Sequence, residues 1–146
     1  MRLGDIISPN HILLLDRPPD KPQLLRDLAE RAAEALHLDA AELTAALLRR
    51  EQLGSTGLGG GIAVPHTRIP GLPKPFGILA ILGTPIAFDA IDEAPVDLVV
   101  LLLLPDNGEA LKALATISRG LRQPELLAGL RHAETARAAY QALQAD

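Results

Sequence analysis

Hydrophobic positions change period along this chain, and the changes divide it into elements. Leu24, Leu25, Leu28, Ala32 and Leu36 recur at helical spacing, and Asp20 with Pro22 marks the start of that helix. Asp39 restarts a second helix, with Leu43, Leu47 and Leu48 on one side, running to about Arg50. From Gly54 to Gly61 glycine is too dense for helix and predicts a loop. Ile62 to Pro65 reads as extended, because Val64 precedes a proline. Phe76 to Leu82 predicts a strand, and Ile86 to Phe88 a second short one. Asp97 to Leu104 is a continuous Val/Leu run bounded by Pro95 and Pro105, the pattern of a central strand buried on both faces.

Asp106 or Asn107 is then expected to cap a helix with Glu109 in its first turn, and Leu111, Leu114, Ile117 and Leu121 as its apolar stripe. Two further helical pieces follow, Glu125 to Leu130 and Thr135 to Leu143. The first twenty or so residues read as irregular apart from a short strand at His11 to Leu15. This order predicts an α/β fold: a single domain over residues 1–146, a sandwich whose mixed β-sheet is flanked by helices on both sides.

Composition narrows the chemistry. Aromatic residues make up 2% of the chain, so the core must be aliphatic, and so few rings argue against stacking on nucleic-acid bases. A net charge of −4 without a basic run argues against nucleic acid as a partner. With no cysteine there is no disulfide, thiolate metal site or thiol catalysis. The N-terminus has no long apolar segment, and Leu98 to Leu104 is too short to span a bilayer, so the expectation is a cytoplasmic protein without membrane insertion.

The glycine-rich loop does not fit a nucleotide site. The dinucleotide fingerprint lacks its third glycine, a helix precedes the loop where a strand should, and Gly59 is followed by Gly60 rather than the P-loop lysine. A phosphate carried on the protein itself fits better. Gly54 and Gly57 let backbone N–H groups approach, Ser55 and Thr56 add hydroxyl donors, and the planar fork of Arg50 can grip a phosphoryl group. Composition alone favours a plain tight connection, since glycine loops mostly serve geometry.

Of the 4 histidines, none lies at a metal-ligand spacing, and no metal or cofactor is expected. His11, His37 and His132 read as helix-end or surface residues. His66 follows a proline-fixed extended segment, which would hold an imidazole still for nucleophilic attack on phosphorus, although the residue taken alone reads first as structural.

Taken whole, the run Arg50 to His66 resembles the phosphohistidine site of the enzyme IIA components of the sugar phosphotransferase system, fructose/mannitol-type superfamily. The pattern is R-E-x-x-G-S-T-G-x-G-x-G-I-A-x-P-H. A second stretch, Thr84 to Asp92 with Pro95 to Leu98, is similar to the nitrogen-regulatory branch. The resemblance covers nearly the whole chain. It implies that His66 is the phosphoryl acceptor through Nε2, with Arg50 stabilising the phosphoryl group and Ser55 and Thr56 in the loop beside it. It also implies a small phosphocarrier protein as donor, an α/β sandwich, and no cofactor.

One position departs from the pattern. Ala110 stands where the family commonly has a second histidine, opening the helix after the long strand. A methyl group cannot donate a hydrogen bond to the transferring oxygens, and one lost donor of that kind costs on the order of 10²–10³ in rate. The first reading is therefore a regulatory phosphocarrier whose phosphorylation state controls a partner such as a transporter or kinase. The alternatives are a non-catalytic binding module with impaired phosphorylation, or a sugar-transport IIA component that passes phosphate to a IIB domain.

Overall fold

The computed structural model describes residues 1–145. A six-stranded mixed sheet lies between two helical layers, as the element order predicts. The strands are β1 (Ile7–Leu15), β2 (Gly57–Gly59), β3 (Ile62–Ala63), β4 (His66–Arg68), β5 (Phe76–Ile86) and β6 (Val96–Leu104). Along the main path their order is β1-β5-β6-β3-β2, and β4 also pairs with β6. The helices are α1 (Leu3–Ile6), α2 (Lys21–Leu36), α3 (Ala40–Gln52), α4 (Glu109–Gly120), α5 (Pro124–His132) and α6 (Ala136–Gln144).

The alternation of β6 divides the core. Leu98, Val100, Leu102 and Leu104 face a layer built from α1, α4, α5 and α6, with Ile117, Leu121 and Leu130 among its buried residues. Val99, Leu101 and Leu103 face α2 and α3, through Leu24, Leu28, Leu43 and Leu47. A strand buried on both faces needs apolar residues at every position, which is why the run from Leu98 is continuous. Asp20 and Asp39 cap α2 and α3, accepting the N–H groups of Gln23 and Glu42 at 3.1 and 2.9 Å.

Several sequence expectations are corrected. The first twenty residues are not irregular: α1 leads into β1, which starts at Ile7 and extends well beyond the predicted His11 to Leu15. The polar run Ser8 to His11 hid it, because the register of β1 against β5 shifts between Ile7 and Ile12, and Pro9 is accommodated in that irregularity. His11 is accordingly a strand residue, edge-on to the Phe76 ring with centroids 4.8 Å apart. Ile86 to Phe88 is no separate strand, since β5 runs unbroken to Ile86. Pro85 sits where the register against β6 shifts and beyond the last residue paired with β1, so its missing N–H breaks no ladder.

Helix α4 keeps Ile117 and Leu121 of its predicted stripe in the core, with Leu114 packed at its edge, but Leu111 is 70% exposed and Ala110 and Ala113 take the first turns' place against the sheet. The small side chains of Ala110 and Ala113 let the helix lie close to β6, and that contact decides the rotation. Its N-cap is Gly108, which makes no side-chain bond; Asn107 Oδ1 nevertheless accepts the Glu109 N–H at 2.9 Å.

Candidate functional site

The segment from Ile62 to Arg68 follows one edge of β6. Ile62 and Ala63 lie opposite Leu98 and Val99, and His66 to Arg68 opposite Leu102 to Leu104. Pro65 falls between the two pairings, where no strand N–H is needed, and its carbonyl still accepts the Leu102 N–H at 2.9 Å. His66 therefore stands on a backbone tied on both sides to the most buried strand of the sheet.

The ring of His66 is half-buried, and its Nδ1 lies 2.8 Å from the carbonyl oxygen of Val64. A carbonyl can only accept, so Nδ1 carries a hydrogen, which in the neutral ring leaves the lone pair on Nε2. Among the described residues no hydrogen bond engages Nε2. The backbone thus selects both the tautomer and the ring orientation.

The loop before it is closed by its own bonds. Val64 N–H donates to the Thr56 carbonyl at 3.0 Å, so the loop and the strand bearing His66 are directly joined. The Ser55 hydroxyl donates to the Phe88 carbonyl at 2.7 Å and accepts the Gly57 N–H at 3.0 Å. The buried Thr56 hydroxyl donates to the Glu51 carboxylate, which also accepts the Thr56 N–H at 3.3 Å. The hydroxyls expected to face a phosphoryl group are thus engaged within the protein. Gly57 is needed because a Cβ there would lie 2.7 Å from that of Ala90. Arg50, on the last turn of α3, donates from Nη1 to the Gly54 carbonyl at 2.8 Å on the exposed side, which leaves further guanidinium donors for an anion.

The turn joining β2 to β3, Gly59 to Gly61, has positive φ throughout and is held from two directions. Asp92 Oδ2 accepts the Gly60 N–H at 3.0 Å, while Oδ1 accepts that of Ala94 at 3.1 Å. Those bonds, first to Gly60 and then to Ala94, hold the Asp92 carboxyl below its ordinary range. Arg131 of α5 donates from Nη2 to the Gly60 carbonyl at 2.7 Å and grips both oxygens of Asp97. Residue 61 must be glycine, since its φ is +82° and a Cβ would lie 2.7 Å from Arg131 Nη2.

Lys21, Glu51, Asp92, Asp97 and Arg131 gained no role from the sequence. Glu51 lies within the Arg50 to His66 motif and Asp92 and Asp97 within the second resembling stretch, but each has a partner distant in sequence that no local pattern names. Ala110, where a second imidazole was sought, turns its methyl into the core at 1% exposure. His37 is the C-cap of α2 at φ 57°, and His132 ends α5; neither joins His66. No group of three or more metal-ligating side chains forms among the described residues. No helix there is long and apolar enough to cross a membrane.

The chain was compared with known proteins. Residues 5–146 match the family model described as phosphoenolpyruvate-dependent sugar phosphotransferase system, EIIA 2. A nitrogen regulatory protein of Bradyrhizobium diazoefficiens is 42% identical over 98% of this chain and 95% of its own. One from Pseudomonas aeruginosa is 39% identical over 97% and 94%. The crystal structure of the nitrogen regulatory protein IIA-Ntr from Neisseria meningitidis superposes with a TM-score of 0.87 at 33% identity, covering 97% of this chain and 98% of that one. The chain belongs to the enzyme IIA type 2 family of the sugar phosphotransferase system and, within it, to the nitrogen-regulatory proteins.

Proposed function

We propose that this protein is a regulatory phosphocarrier in which His66 accepts a phosphoryl group from the phosphohistidine of a small phosphocarrier protein. The lone pair on Nε2 attacks phosphorus in line, and the donor's N–P bond breaks as the new one forms. The free donors of Arg50 offset charge on the equatorial oxygens. The hydrogen bond from Nδ1 to Val64 carries this reading: it leaves the other nitrogen unprotonated, unbonded and fixed in direction. The loop Gly54 to Gly57 contributes by holding Arg50 and the strand of His66 in register, more than by presenting its hydroxyls.

Phosphorylation adds about −1.5 to −2 charge at pH 7. The glycine-rich loop has apolar surface beside it, since Leu53 just before it and Leu58 within it are exposed, and Ile91 is exposed next to Asp92, which binds the Gly60 N–H. Such a rim supports protein partners: the donor, and a regulated transporter or kinase whose binding the new charge would reverse. This reading places the protein in the cytoplasm.

Intact mass after incubation with phosphoenolpyruvate, the general phosphotransferase enzyme and its phosphocarrier tests it. One acid-labile phosphoryl group should appear, and His66→Ala should stay unmodified while keeping its fold. Labelling of that variant would refute the assignment. The buried methyl of Ala110 favours a second reading, a binding module with impaired phosphorylation. A partner bound equally by wild type and by His66→Glu would support that one. Transfer onward to a purified IIB domain would instead support a role in sugar transport.

A further inference from the structure

Lys21 occupies an unfavourable place for a cation. It is the first residue of α2, where the helix dipole repels positive charge. Its side chain is nonetheless only 14% exposed, and its contacts converge. Nζ lies 2.9 Å from Glu51 Oε2, donates to the Phe88 carbonyl at 3.0 Å, and sits 4.6 Å from the centroid of the Phe88 ring. Asp89 Oδ2 is 3.8 Å away on the open side.

Glu51 is the other half of the arrangement. Its side chain is 6% exposed, and its carboxylate accepts both the N–H and the hydroxyl of Thr56. The Phe88 carbonyl that takes the Lys21 ammonium also takes the Ser55 hydroxyl. One ion pair therefore ties together the start of α2, the end of α3, the loop Ser55 to Gly57 and the segment at Phe88. A buried pair of this kind is a poor way to gain stability, since apolar residues of similar size usually do as well or better. Its value lies in what it orients.

Two functional groups hang on it. Arg50 immediately precedes Glu51, so an anchored Glu51 fixes the turn from which the guanidinium projects. Thr56, held by Glu51, accepts the N–H of Val64, whose own carbonyl orients the ring of His66. We propose that Lys21 is a positioning residue for phosphoryl transfer. Through Glu51 and Thr56 it sets where Arg50 and His66 stand relative to each other, without touching the phosphoryl group. This inference rests on the reading of His66 as the acceptor.

The test is the double variant Lys21→Met/Glu51→Gln, which removes both charges and so leaves no unpaired ion in the interior. Phosphoryl transfer is followed in single turnover against donor concentration, and amide hydrogen exchange is recorded on the same samples. The expected result is a melting temperature close to wild type with the maximal transfer rate lowered roughly 10- to 100-fold, the scale of a misplacement of about 1 Å. The donor concentration at half-maximal rate should not change, because the docking surface is untouched. Exchange should speed up at Thr56 and Gly57 and stay constant in β5 and β6. A folded double variant with wild-type maximal rate and exchange would overturn the proposal. Should the double variant fail to fold, Thr56→Val removes the hydroxyl contact to Glu51 while keeping the ion pair and the backbone N–H contact, and a wild-type rate together with wild-type exchange at Thr56 and Gly57 there overturns it equally. If the wild-type protein takes no phosphate, the acceptor reading fails, and the exchange data then decide: unchanged protection at Thr56 and Gly57 overturns the positioning role.

Discussion

The carbonyl of Val64 lies 2.8 Å from Nδ1 of His66, two residues on along the same strand edge. The intervening Pro65 makes this contact durable, because its ring fixes φ and it sits in the gap between two β pairings. Pro65→Ala keeps the Leu102 bond to the carbonyl but frees the torsion. It should lower stability by about 0.4–1 kcal/mol through the unfolded chain. It should also slow phosphorylation of His66 more than that loss explains. Urea unfolding and single-turnover transfer measured together check both; a wild-type rate would show that the ring does not hold the imidazole.

The pair Gly61 and Arg131 gives a coupled prediction. Gly61→Ala meets both a left-handed φ and the guanidinium, and should cost about 1–3 kcal/mol. Arg131→Ala removes a partly exposed ion pair to Asp97, worth about 1 kcal/mol or less once solvent screening is counted, together with the Gly60 bond. In the double variant the share of the steric cost due to Arg131 disappears, while the Asp97 carboxylate still lies 2.8 Å from the added Cβ, so the losses should be less than additive. Full additivity in a double-mutant cycle would mean that the Arg131 guanidinium plays no part in fixing Gly61.

Introducing at Ala110 the histidine that the sequence resemblance leads one to expect should not be benign. Ala110 is packed beneath α4 against the sheet, so Ala110→His must place an imidazole where a methyl now fits. A destabilisation of about 1–3 kcal/mol is expected from overpacking, measurable by denaturant unfolding. A variant as stable as wild type would show that the first turn of α4 can rotate, and it would then be the one to test for faster phosphorylation.

Acid should weaken the start of the chain. Burial holds the pKa of His11 below the ordinary imidazole value, in a cleft it shares with Arg31 and Glu34 of α2. The native state therefore binds fewer protons than the unfolded chain, and stability falls as pH drops through the ordinary value of about 6.5 towards the lowered one. Above that window the contribution is fully present. Thermal melts from pH 7.5 to 5.5 should show a decline that is shallower in His11→Gln. An identical slope in the variant would remove His11 as its cause.

Where a single element's own residues dictated structure, the sequence was readable. Asp20 and Asp39 announced α2 and α3, and the unbroken run from Leu98 announced the central strand. The motif around His66 was legible because its residues are contiguous. What escaped depended on contacts between distant elements. Leu111 and Ala110 compete for the same helix face, and only the closeness of α4 to the sheet settles the phase. Ser8 to His11 looks too polar for a strand until the shifted pairing with β5 is seen. Lys21 and Glu51 are 30 positions apart in a chain whose charged fraction, 22%, is ordinary, and nothing local marks them as partners.

The most direct measurement is nitrogen-15 NMR of the labelled histidines before and after phosphorylation. Before transfer, His66 should carry its hydrogen on Nδ1. Afterwards one-bond coupling to phosphorus should appear at Nε2 of His66 and at no other histidine. A phosphoryl group on Nδ1, or on His11, His37 or His132, would contradict the account, and no coupling under conditions that phosphorylate a control relative would do the same.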